Sequence, residues 1–123
     1  MAGRPSGVVG DEMTKRFDEG MRLLRRSGQD RDEGFSLLQR HAAEHLDELI
    51  EAFRAEGEER NMRVLLLTLI GEARSPEALP ILVEHLDHEN ESLAGWAVRG
   101  LEMLGTKEAR IALYRHRTNN THN

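Results

Sequence analysis

The run Met62 to Gly71, Met-Arg-Val-Leu-Leu-Leu-Thr-Leu-Ile-Gly, constrains this chain more than any other stretch. Seven of its ten residues are apolar, and they fall on nearly every side of a helical wheel. A helix apolar all round has to be covered all round. The run is too short to cross a bilayer, which takes ~20 apolar residues. It predicts a central helix, from about Glu59 to Ala73, with other elements packed around it.

The flanking sequence reads as those elements. Residues 1–10, with Gly3, Pro5, Gly7 and Gly10, read as a flexible lead. Asp11 to Arg26 spaces Met13, Phe17, Met21 and Leu24 as one helical stripe, weakened by ~1 kcal/mol at Gly20. Arg22, Arg25 and Arg26 crowd its last turn, where cations suit the helix dipole. A second helix starts near Glu33 with Phe35, Leu38 and Ala42. A break near Ala43 separates it from a third carrying Leu46, Leu49, Ile50 and Phe53. Ser75-Pro76-Glu77 opens the helix after the central one: Ser75 caps, Pro76 fits the first helical position and Glu77 meets the positive dipole end. That helix runs through Leu79, Leu82, Val83 and Leu86 with a bend at Pro80. Asn90 caps a helix from Leu93 to Leu104, Gly105 ends it, and Thr106 caps a last helix through Leu113 and Tyr114. The tail 118–123 reads as disordered.

At 123 residues the chain suits one domain, residues 11–117. Its 38% apolar, 32% charged and 4% aromatic content fits a water-soluble helical fold. There is no cysteine, so neither a disulfide nor a thiolate metal ligand is available. No apolar run at the N-terminus fits a signal peptide, and the expected location is cytoplasmic. Net charge is −5, and residues 41–123 hold nine Arg/Lys against fifteen Asp/Glu. Such a body repels phosphate backbones and suits a protein partner of basic character. No membrane contact is expected.

The helices pair, and the pairs repeat. Leu49-Ile50-Glu51-Ala52-Phe53 aligns with Leu82-Val83-Glu84-His85-Leu86, and Met62, Val64, Leu67, Ile70 and Gly71 with Trp96, Val98, Leu101, Leu104 and Gly105. The spacing of ~31–34 residues lies in the range of helical-hairpin solenoids. From Gly71-Glu72-Ala73-Arg74-Ser75-Pro76-Glu77-Ala78-Leu79-Pro80-Ile81-Leu82 through the Asp87 to Glu91 turn and the Trp96 to Gly105 helix, the chain resembles HEAT repeats. The nearest subtype is the short bacterial kind first named for phycobilisome lyases. The resemblance is strongest over Arg60 to Leu113. Leu93-Ala94-Gly95 departs from it, standing where the family usually has Val-Arg-x. It implies an all-α superhelix of about two and a half repeats that binds partners on its concave face, and it does not imply lyase activity. On that reading residues 11–43 are N-terminal capping helices, 44–73 and 75–105 are repeats, and 106–117 is a C-terminal cap.

In such a stack the second helix of each pair lines the concave side. Removing core positions leaves Asn61, Leu65, Thr68 and Glu72 on one helix and Gly95, Arg99, Glu102 and Thr106 on the next, each set on one face. Asn61, Leu65, Thr68, Glu72, Gly95, Arg99 and Glu102 are the candidate protein-binding residues. Leu65 is either an apolar centre within a polar rim or a contact covered by the preceding helices. Trp96 aligns with Met62 and is expected in the core.

Catalytic constellations are missing from the sequence. No Gly-x-Ser-x-Gly elbow and no phosphate-cradling glycine loop occur, and no cofactor is expected. His41-Ala42-Ala43-Glu44-His45 matches His-x-x-Glu-His, which would set two histidines on one helix face toward a metal. The motif is loose, and solvated or helix-end histidines are the expectation, with no metal site. His88-Glu89 alone has the order of the di-iron pairs of HEAT-like hydroxylases, and it lies in a turn; His85 and His88 read as surface residues. The expected function is a non-enzymatic protein-binding scaffold, with an inhibitor or immunity-type role as one version. The alternatives are a nucleic-acid-binding domain using Arg22, Arg25, Arg26, Arg63 and Arg99, or a subunit-like fragment of a larger complex.

Overall fold

The computed structural model describes the backbone of residues 5–56 and 60–121, and the side chains of 15–56 and 61–119. Among them the chain forms seven α-helices and no strand: α1 (Pro5–Leu24), α2 (Gln29–Arg40), α3 (Leu46–Ala55), α4 (Arg60–Glu72), α5 (Leu79–Glu84), α6 (Glu91–Leu104) and α7 (Lys107–Thr121). They fall into two compact units, Met1–His41 and Ala42–Asn123. The boundary lies beside the break expected near Ala43.

The first unit is the α1/α2 hairpin. Met21, Leu24 and Leu38 are buried. The helices touch through Gly34, where an added Cβ would stand 2.6 Å from the Leu24 nitrogen and 2.7 Å from the Gly20 carbonyl oxygen. Gly20 was expected only to weaken α1; it also makes room, since a Cβ there would meet Leu38 at 2.7 Å. Arg31 Nε donates to the Leu24 carbonyl at 2.9 Å, satisfying one of the open carbonyls at the end of α1. Residues 5–10, expected in a flexible lead, belong to α1. Residues 1–4 and the Met13 side chain lie outside the described residues.

The second unit stacks two hairpins, α3/α4 and α5/α6, and a last helix. Helix α4 is the apolar run, and Met62, Leu66, Leu67, Leu69 and Ile70 are each at most 2% exposed. It packs on α3 and α6, and α6 packs on α4, α5 and α7, so α4 and α6 form one layer. The other layer holds α3, α5 and α7. Arg54 Nη1 and Nη2 donate to Glu84 at 3.1 and 3.0 Å, tying α3 to α5. His116 Nδ1 lies 2.9 Å from Asp87 Oδ1, tying α7 to the turn after α5. The Arg54 hydrogen bonds hold the Glu84 carboxyl below its ordinary range, against a smaller effect of burial. Because this folded-state value is lowered, the tie contributes above the ordinary carboxylate range and is lost as pH falls through the lowered one.

Local chemistry sets the element ends. Asn90 Oδ1 accepts from the Ser92 and Leu93 N–H groups at 2.9 and 3.3 Å. Thr106 Oγ1 accepts from Ala109 N–H at 3.1 Å, and Ser75 Oγ from Glu77 N–H at 3.3 Å. Helix α6 stops at Gly105, whose φ is 66°. The helix expected over Pro76 to Leu86 is shorter than its pattern. Pro76–Ala78 is a 3₁₀ turn and α5 proper begins at Leu79. Pro80 has no N–H to reach the Pro76 carbonyl, which accepts instead from Leu79 N–H, one residue earlier. At the other end α7 runs on to Thr121, through residues 118–121 that were expected to be disordered; 122–123 lie outside the described residues.

Candidate protein-binding face

Gly71 and Gly100 let α4 and α6 meet backbone to backbone. A Cβ on Gly71 would stand 3.0 Å from the Gly100 Cα. That contact turns the opposite side of α6 outward, along Glu91, Gly95, Arg99 and Glu102, all exposed at helical spacing. Between them lies a shallow open depression of about 420 Å³, floored by Trp96 and Val98. Nothing stands within 4 Å of where a Gly95 Cβ would be, so the missing side chain leaves the depression open. The Arg99 guanidinium lies 5.5 Å from the centre of the Trp96 ring, a cation–π arrangement. The floor is apolar and the rim carries both signs of charge.

Three expected binding residues, Gly95, Arg99 and Glu102, come together here. Glu102 Oε2 also accepts from Arg117 Nη2 of α7 at 3.3 Å. The α4 set divides. Asn61 is exposed, while Leu65 and Glu72 are half-buried. Thr68 does not line an accessible face: it is buried, and its hydroxyl donates to the Val64 carbonyl at 2.7 Å. A hydroxyl satisfied one turn back along its own helix needs no water, so the residue can be covered. Trp96 is half-buried rather than in the core. Its ring is too large to close over completely, and Gly95 offers it no neighbouring side chain for cover. The Gly95 opening was the signal available in the sequence, where Leu93-Ala94-Gly95 departs from the repeat.

The histidines differ from expectation. Residues 41–45 form a turn between α2 and α3, so His41 and His45 do not share a helix face. His45 is fully buried, with Nδ1 3.6 Å from Glu48 Oε1. His85 is buried as well: Nδ1 lies 2.8 Å from the Ile81 carbonyl, and the ring stands edge-on to Phe53 with centroids 5.0 Å apart. His88 stacks on it at 5.5 Å and its Nδ1 accepts from the Asn90 N–H at 2.9 Å. Among the described residues no group of three or more His, Cys, Asp or Glu is placed to hold a metal ion. Several cations weighed for phosphate binding are engaged by protein groups. Arg63 lies 4.6 Å over the Phe53 ring, Arg22 pairs with Glu19 at 2.6 Å and Arg26 with Asp30 at 3.2 Å.

The family model of HEAT repeats matches residues 46–122, more than half of the chain. This chain belongs to the HEAT-repeat family. No curated protein and no solved structure matches it. HEAT repeats generally mediate protein–protein interaction and are typically non-catalytic scaffolds. The match begins with α3 and takes in both hairpins and α7. No helix among the described residues is long and apolar enough to cross a membrane.

Proposed function

We propose that the protein is a non-enzymatic binding module that grips a protein partner on the α4/α6 layer, with the α6 depression at its centre. The carrying observation is Arg99 laid over a half-buried Trp96 beside the open Gly95 position. Trp and Arg dominate binding energy where they sit in pockets that a partner closes off from water. Leu65 on α4 extends the apolar part of the surface, and Asn61 and Glu72 flank it. Glu91 and Glu102 on the rim, with the acidic balance of residues 41–123, favour a basic partner through steering and rim complementarity. Neutralising a cognate toxin or enzyme is one version of this role, in which a small acidic scaffold covers the partner's working surface. A cytoplasmic setting accords with a chain free of cysteine.

The test uses two substitutions that leave the core alone. Gly95→Trp fills the depression, and Arg99→Glu reverses its central charge. Affinity capture with the wild-type chain recovers a protein that both variants lose, while neither variant melts below the wild type. Equal recovery by all three chains would overturn the proposal.

A further inference from the structure

The opposite layer carries a second surface. Three large apolar side chains stand exposed among the described residues: Val83 and Ile111 at 40% and Tyr114 at 70%. All three lie on α5 and α7, none on the α4/α6 layer. On α3 of the same layer, Ile50 is half-buried in a depression shared with Asp47, Glu51 and Arg54. Apolar groups therefore run across all three helices of this layer.

Charge along that run is polarised. Asp47 and Glu51 on α3 are exposed and make no ion pair among the described residues. On α7, Lys107, Glu108 and Arg115 are exposed and likewise make no ion pair among them, a set with net positive charge. Between the two ends, Glu84 is held by Arg54 and Asp87 by His116. One end is thus acidic, the other basic and the middle balanced. A face of this kind complements itself when turned by a half rotation.

We propose that this layer is a self-association surface and that its occupant is a second copy of the chain. A two-fold axis near Val83 places α7 of each copy on α3 of the other. Lys107 and Arg115 then meet the second copy's Asp47 and Glu51 at both ends, with Ile111 and Tyr114 against Ile50. Around the axis Val83 faces its own equivalent, where an unpaired charge would have met a like charge. Symmetry makes every contact twice, as an isologous dimer requires. Helices of this length spaced about 9 Å apart cover roughly 500–600 Å² per copy, the low end for a specific interface. The dimer is accordingly weak, concentration-dependent and weakened by salt.

Sedimentation equilibrium across the micromolar range tests it. The wild-type chain shifts from monomer toward twice its mass as concentration rises, and added salt shifts it back. Val83→Glu weakens association at least ~10-fold, with no loss of melting temperature at concentrations where the wild type is monomeric, since the side chain already reaches solvent. Asp47→Lys with Glu51→Lys gives a monomer, and so does Lys107→Glu with Arg115→Glu. An equimolar mixture of the two double variants recovers the dimer, because each then meets opposite charge at both ends. A wild type that stays monomeric overturns the proposal, as does a dimer indifferent to Val83→Glu or a mixture that fails to associate. Masses that climb past two copies also overturn it, because they report an open head-to-tail chain.

Discussion

Two glycines one helix apart show how much a single position's surroundings decide. Gly95 looks into open space, while a Cβ on Gly71 would press on backbone at 3.0 Å. Both sit inside helices, where Gly costs about 1 kcal/mol relative to Ala. At position 95 nothing opposes recovery of that cost, so Gly95→Ala should raise stability by about 0.5–1 kcal/mol. At position 71 overpacking wins: Gly71→Leu should lower stability by about 1–3 kcal/mol even after the gain in helix propensity. Urea titrations of both variants check the signs. Two shifts in the same direction would mean that the α4/α6 contact does not govern stability. Thr68 teaches the same lesson, since a polar residue on a line expected to be exposed is buried once its hydroxyl finds a carbonyl in its own helix.

Helix ends were the most legible part of this chain, because short polar side chains announce them. Asn90 and Thr106 each cap the helix start expected of them, and Ser75 caps the 3₁₀ turn that leads into α5. Asn90 satisfies two N–H groups at the entry to α6, and α6 touches α4, α5 and α7. Asn90→Ala should cost about 1 kcal/mol, read as a lower thermal midpoint, while Asn90→Asp should retain most of the wild-type stability. Equal losses in the two variants would remove the capping explanation. The central helix was legible too, since an apolar run without a polar side has to be enclosed. Less legible were the length of α1 and the start of α5. The first extends into a glycine-bearing segment, where propensity alone predicts coil, and the second depends on which carbonyl a missing proline N–H leaves open. Buried histidines were hidden for a different reason. His45 and His85 are buried, and His85 stands against Phe53 of another helix, a contact that periodicity cannot reveal.

At the scale of the whole molecule, the repeat pattern disclosed the stack over α3 to α7, and the family match covers the same stretch. The exposure of the proposed face was half legible: spacing picks out Gly95, Arg99 and Glu102 as exposed on α6, whereas on α4 burial overrode it at Thr68. The charge pattern of the α3/α5/α7 layer was not visible in sequence order, because Asp47 and Arg115 are far apart along the chain. Division at His41/Ala42 gives each part its own buried residues. A fragment of residues 42–123 should therefore keep a helical circular dichroism spectrum and melt cooperatively. A broad, non-cooperative melt would show that its core needs residues 1–41.

The touching backbones of Gly71 and Gly100 have a mechanical consequence. With no side chain interposed to deform, that spot is stiff: the two rods cannot be pressed closer there. A guest that levers the rods apart beside Trp96 would therefore work against a joint with no give.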